Sequence, residues 1–475
     1  MISLTLTLAL TLGTGSLNHE KAAFSWFERH DVTETDPSKL VLDELFDQKF
    51  ARVALGLFDI RMPASTFDEK DDFEAAQQAS MALIDGQAQW LRWLVDGDID
   101  GSEAVEAAIE DLEDLKRWVK GWRLSKLRKA YEDGRRDLAP DPEEDDIGSV
   151  IESLSGWMAR GGPIGLARTE PRSQQIFLMP NRQEFVEIAC VLGWATPHLR
   201  PNFWMEGLWG WTQFYFFDKK FFALQFARAP FNGDYTAGDP MERYNKTGLE
   251  QQVVQLGMNA LFDNYYGDRL SPDIGSGMAS NIVIDIYGEV DTRTDGDLRA
   301  RSTQAREVFV PGANVADGSL GTNYADGRFR SPDNGSDRFV KALRLTQKAG
   351  ARNARSKSDK FRSFELLTDD ESDDFTFLAP CFDPSAAKQN PPGEAFQGDL
   401  LEFLRAYRIC FLSWMRDHGA NKKNASRESF AQLLVELGKV NFGEACQKAY
   451  GSAMSSEDLG KSTLEGEFLR WLAKQ

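Results

Sequence analysis

Histidine and cysteine are both scarce in this chain, four of each in 475 residues. The cysteines, Cys190, Cys381, Cys410 and Cys446, lie far apart and form no CxxC pair, which argues against a Cys-based zinc site and against a disulfide-dense scaffold. Of the histidines, His19, His30, His198 and His418, no two are three or four residues apart. No helical face can therefore present two imidazoles to one metal ion. A Ser-His-Asp triad has as little to draw on, because His198 has no nucleophile elbow to serve. Positive charge is in deficit too: 55 Lys and Arg face 74 Asp and Glu, a net charge of −19. An acidic surface repels nucleic acid and anionic lipid, so no nucleic-acid partner is expected. No apolar run reaches the ~18–20 residues of a membrane span. The Gly-rich stretch 312–327 lacks a GxxxxGK and a strand-to-helix context, which removes the usual phosphate cradle.

What is present is a large apolar complement. Hydrophobic residues make up 42% of the chain, with 32 Phe and 12 Trp. That is enough for a packed protein of two or three units. Residues 1–16, MISLTLTLALTLGTGS, form a short apolar run ending in small residues, as a signal peptide does, but without the basic leading region. The strict alternation of Leu4, Leu6, Leu8, Leu10 and Leu12 with Thr, Ser and Ala also fits a strand. Export to the periplasm or outside follows from the first reading, a cytoplasmic protein from the second.

Residues 17–139 read as a helical N-terminal region. From Asp71 to Val95, Phe73, Ala76, Ala79, Leu83, Trp90, Trp93 and Leu94 fall on one helical face. A second helix starts at the N-cap residue Ser102 and carries Val105, Ile109, Leu112, Leu115, Val119, Trp122 and Leu127, giving an antiparallel pair. Between them, Asp96-Gly97-Asp98-Ile99-Asp100-Gly101 matches the first half of a calcium loop, but its twelfth position is Ala107, so the bidentate closing carboxylate is missing. An acidic linker with a short helix occupies 140–165. Beyond it, Ile176–Met179 is a short strand stopped by Pro180, and Arg182–Leu192 is helical. Phe214–Phe226 forms two aromatic runs around Asp218-Lys219-Lys220, the mark of a hairpin. Leu249–Tyr265 is a helix, residues 288–336 a long loop region, and residues 337–475 a C-terminal helical part. Nine Lys or Arg between 338 and 362 read as a solvated face or as a patch for a polyanion or partner.

The segment Leu249 to Ile286, LEQQVVQLGMNALFDNYYGDRLSPDIGSGMASNIVIDI, resembles the active-site unit of gluzincin metallopeptidases, in particular the bacterial peptidase-MA-like group. There a helix bears HExxH and a loop through Pro leads to a second helix with the third ligand. The resemblance implies an α+β fold: a zincin-like core over 166–336, with a small aromatic-rich mixed sheet, preceded and followed by helical regions. It also implies that the hairpin near 214–226 is the edge strand beside a substrate cleft. Laid on this chain, the two His positions are Gln255 and Asn259, the general-base position is Leu256, and the third-ligand position is Ser276. Leucine cannot accept a proton from water, and amide or hydroxyl groups are poor zinc ligands beside imidazole and carboxylate.

A rival register places Trp204-Met205-Glu206-Gly207-Leu208 at the later motif and Val186-Glu187-Ile188-Ala189-Cys190 at the earlier one. It leaves Glu187 and Glu206 as carboxylates for an unorthodox hydrolase. Three readings stand at this point. The first is a non-catalytic metallopeptidase-like protein that acts on a protein or peptide partner and needs no cofactor. The second is a hydrolase without HExxH. The third is a structural protein of unrelated fold.

Overall fold

The computed structural model describes residues 23, 25–32, 42–97, 102–138, 174–179, 184–185, 187–188, 190–191, 213–216, 221–225, 249–288, 290–291, 328–329, 407–420, 423–454 and 463–472. They form an α+β protein built on one mixed five-stranded sheet. The strands are β1 (Ala51–Leu55), β2 (Phe58–Met62), β3 (Gln174–Met179), β4 (Gln213–Phe216) and β5 (Phe221–Gln225), in the order β1-β2-β3-β5-β4. The hairpins β1–β2 and β4–β5 are antiparallel, whereas β2–β3 and β3–β5 are parallel. The aromatic hairpin expected near 214–226 is thus present as β4–β5, with β4 at the sheet edge.

The first hairpin corrects the reading of 17–139 as helical. β1 and β2 fall inside that span and belong to the same sheet as β3. Leu55 pairs with Phe58 across a two-residue turn at Gly56 and Leu57. Gly56 has φ +64°, where a side chain is strained, and an added Cβ would also lie 2.6 Å from Oε1 of Gln87. That oxygen accepts a hydrogen bond from Leu57 N–H at 2.6 Å, and Nε2 of Gln87 donates to Leu55 O at 3.0 Å. The buried amide of Gln87 therefore satisfies backbone groups at the turn that water cannot reach.

The parallel step from β2 to β3 needs a long crossover. α1 (Leu42–Lys49) precedes β1, and the crossover holds α2 (Lys70–Val95), α3 (Ser102–Lys120) and α4 (Leu124–Glu132). α2 matches the expected helix to within a residue. α3 runs antiparallel to it: Gln77 reaches the Val119 carbonyl, Asp85 pairs with Lys116, and Arg92 pairs with Glu113. The expected single helix through Leu127 is broken at Gly121–Arg123, where the Gly121 and Trp122 amides turn back onto Trp118 and Val119 carbonyls.

Both sheet faces are covered. On one, Phe58 and Ile176 meet α2 and α5 (Leu249–Tyr266). On the other, Phe177 packs edge-on against Phe46 and Phe50 at centroid separations of 4.8 and 5.2 Å. α5 leads through a 3-10 turn at Gly267–Arg269 into α6 (Pro272–Tyr287). Ser271 caps α6 by accepting from Ile274 N–H, Pro272 opens the helix, and Gly288 at φ 83° ends it. The stretch 288–336, expected as loop, holds a two-residue ladder of β6 (Val290–Asp291) with β7 (Arg328–Phe329). The C-terminal part is helical over 407–418, α7 (Lys423–Leu437), α8 (Phe442–Tyr450) and α9 (Leu464–Leu472). Among the described residues, no helix is long and apolar enough to cross a membrane.

Candidate functional site

The site suggested by the sequence lies on α5 and α6. α5 buries Val253, Val254, Leu256, Met258, Ala260, Leu261 and Phe262, on more than one side, because it is wedged between α2, the sheet and α6. Two glycines allow this wedge. A Cβ on Gly257 would sit 2.3 Å from Cδ2 of Leu83, and one on Gly86 would sit 3.0 Å from Cγ of Met258. The α2–α5 crossing is thus closest at Gly257, where an added side chain would force Leu83 to move.

Two of the candidate positions on α5 face α6. Nε2 of Gln255 donates to Oγ of Ser280 at 3.1 Å, with Gln255 only 1% exposed. One turn along α5, Asn259 meets Gly275: a Cβ there would lie 3.5 Å from Oδ1 of Asn259. The helices therefore run antiparallel with Gln255 and Asn259 turned toward the 275–280 segment. Ser276 is buried within that segment. Leu256 is 2% exposed and belongs to the hydrophobic core. Behind α6, Asn281 donates to its own Gly277 carbonyl and to Ile409 O at 3.0 Å, tying α6 to the 407–418 helix. The groups brought together are amides and hydroxyls, which can exchange hydrogen bonds but cannot ionise to bind zinc or deprotonate water at neutral pH. Among the described residues, no three His, Cys, Asp or Glu are grouped to hold a metal ion.

The rival positions are placed only in part. Glu187 is 4% exposed and forms an ion pair with Arg29. Cys190 is buried, and that burial pushes its thiol up to about 12. Glu206 and the surrounding Trp204–Leu208 lie outside the described residues. In the calcium-loop candidate, Asp98 and Asp100 also lie outside. Asp96 is described, and its carboxylate receives Nη1 of Arg427 at 3.0 Å. The 1–16 and 338–362 segments, His19 and His198 lie outside as well. His30 packs at a tilt against Trp26, and His418 stacks on Trp471.

Two polar centres had no sequence signal. Oδ2 of Asp285 collects Trp93 Nε1 at 2.7 Å, Gln89 Nε2 at 3.1 Å and Arg416 Nη1 at 2.5 Å. Arg416 also pairs with Asp417, which in turn reaches Arg427. Burial would lower the Arg416 pKa, but Asp285 and Asp417 raise it overall. In the second centre, the buried Tyr407 hydroxyl donates to Oε1 of the buried Glu465 at 2.7 Å. Their sequence separations, 131 to 196 residues for Asp285 and 58 for Tyr407, exceed any local pattern.

The class that the fold defines is an α+β protein with a mixed five-stranded sheet and packed helices. Compared with known protein families, with curated proteins and with solved structures, the chain matches none.

Proposed function

We propose that this chain is a non-catalytic protein with a gluzincin-like helix pair, working through binding or structural interaction rather than peptide hydrolysis. The observation that carries the reading is the hydrogen bond from Gln255 to Ser280. It ties the first aligned His position on α5 to α6, at a serine one turn beyond the aligned third-ligand position Ser276. Gln255 and Asn259 turn toward the 275–280 segment of α6 that contains Ser276, and each of the four aligned positions bears a side chain without the needed acid–base or ligand chemistry. The hydrolase alternative gains no such support. Its one described carboxylate, Glu187, is engaged by Arg29.

Two measurements test the reading. Purified full-length protein, assayed for bound metal and for cleavage of unstructured peptide with and without chelator, is expected to carry no stoichiometric zinc and to release no product. Stoichiometric zinc or chelator-sensitive cleavage overturns the non-catalytic part. The triple variant Gln255→His, Asn259→His, Ser276→Glu is expected to take up one zinc while keeping its helix content. A folded triple variant that takes up none overturns the gluzincin-like part.

A further inference from the structure

The strongly acidic chain carries one described stretch of opposite sign, at the end of α3 and along α4. Residues 117–136 hold eight Lys or Arg (Arg117, Lys120, Arg123, Lys126, Arg128, Lys129, Arg135, Arg136) against two acids, Glu132 and Asp133. α4 buries none of its residues fully. Its inner side rests on the 3-10 turn at Ala64–Phe67: Tyr131 packs against Phe67, and Arg128 donates to the Phe67 and Asp68 carbonyls. The helix is anchored by these contacts, and its remaining cations stand at the surface.

Seven of the eight cations divide into two sets. Arg128 and Arg136 are committed to backbone carbonyls, Arg136 to Gln48 and Tyr131, and Arg117 pairs with Asp114. Lys120, Arg123, Lys129 and Arg135 are exposed, and their side chains have no ion pair or hydrogen bond with the described residues. Positions three apart on a helix lie on adjacent turns, so Lys129 follows Arg123 and Lys126 along the outer side. Gly134, at φ +85°, folds the chain back so that Arg135 N–H bonds the Ala130 carbonyl, which brings Arg135 to the same end.

We infer that this surface docks a carboxylate-rich segment of a partner protein. Nucleic acid fits it less well, on three grounds. Bases need exposed aromatic faces to stack on, but Trp122 is 9% exposed, the half-buried Trp118 packs edge-to-face with it at 5.5 Å, and the Tyr131 ring is covered by the Arg136 guanidinium at 3.9 Å. The guanidiniums of Arg128 and Arg136, suited to bidentate phosphate contact, are already occupied by carbonyls. A body of charge −19 repels a long polyphosphate at distances where a short acidic peptide meets mainly the local field. The surface lies at the α3–α4 end of the crossover, and the inference stands independently of the α5–α6 reading.

The test uses the full chain and a fluorescein-labelled decaglutamate followed by fluorescence anisotropy, with single-stranded oligothymidylate of the same charge as comparison. Decaglutamate is expected to bind saturably, more tightly than the oligonucleotide, and to weaken as salt rises. The variant Lys120→Glu, Arg123→Glu, Lys129→Glu, Arg135→Glu is expected to weaken it by about tenfold, since each exposed ion pair contributes a factor of roughly 1.4 to 5. The Gln counterpart at the same four positions, with unchanged circular dichroism, is expected to show an intermediate loss. No saturable binding by the wild-type chain overturns the inference, as does preference for the oligonucleotide. So does equal binding by a folded variant, which would place the docking surface elsewhere on the chain.

Discussion

Gln255 and Ser280 are hydrogen-bonded across α5 and α6 although they lie 25 residues apart, in surroundings closed to solvent. A buried amide that loses its partner retains the desolvation cost without the compensating bond, about 1–3 kcal/mol. Ser280→Ala is therefore expected to lower stability by about that amount in denaturant unfolding. Gln255→Leu combined with Ser280→Ala, which replaces both polar partners, is expected to cost less than the sum of the two single changes. Additive losses would show that the pair is not coupled.

Gly257 predicts an asymmetry between helical glycines. Alanine normally gains about 1 kcal/mol over glycine in a helix. At Gly257 the new methyl would sit 2.3 Å from Leu83, and overpacking costs about 1–3 kcal/mol. Gly443 in α8 is the contrast: a Cβ there meets only Asn441 Oδ1, at 3.6 Å. Gly257→Ala is expected to lower the melting temperature, and Gly443→Ala to leave it equal or higher. The same direction for both would remove the close α2–α5 crossing as the reason for glycine.

Legibility in the sequence followed how local each signal was. α2 and α5 are long enough for their apolar residues to declare a helix. The aromatic runs on either side of Asp218-Lys219-Lys220 declared β4–β5. The β1–β2 hairpin was missed because β2 is buried on both faces, so Asp59 and Arg61 stand at positions where alternation would expect solvent but the structure has Asp47 and Arg52 as ionic partners. Gly56 was the available clue, since a two-residue loop with a positive-φ glycine marks a tight hairpin. The facing of α5 on α6 was expected only through the gluzincin resemblance. The partner of Gln255 turned out to be Ser280, one turn beyond Ser276. Nothing local encodes the convergence on Asp285.

Asp285 holds three elements with one carboxylate. Its side chain and that of Arg416 are 19% and 15% exposed. Asp285→Ala would leave a mostly buried guanidinium and the Trp93 indole N–H without their acceptor. Breaking a fully buried pair costs about 3–5 kcal/mol, so this partly solvated one is expected to cost about 2–3 kcal/mol. Asp285→Asn keeps an acceptor for Trp93 and is expected to cost about half as much. Equilibrium unfolding of both variants checks the order, and an Asn variant as damaged as the Ala variant would mean that charge, rather than the hydrogen bonds, dominates.

His30 sets a pH dependence with a definite sign. Burial first, then the positive charges of Arg29 and Lys49, lower its pKa to about 4, with Asp31 opposing. An unfolded chain returns it to about 6.5. Between these values the unfolded state binds the proton more readily than the folded state, so stability rises with pH across that window. The contribution is present above about 6.5 and is lost as pH falls toward 4. Because the ring is partly exposed, solvent screening makes the effect modest. His30→Gln removes the titration while keeping a polar side chain beside Trp26, and its melting temperature is expected to fall less than the wild type's between pH 6.5 and 4. Direct titration of the ring by NMR is the sharper check. A midpoint near 6.5 in the folded protein would contradict both the burial of His30 against Trp26 and the pH dependence derived from it.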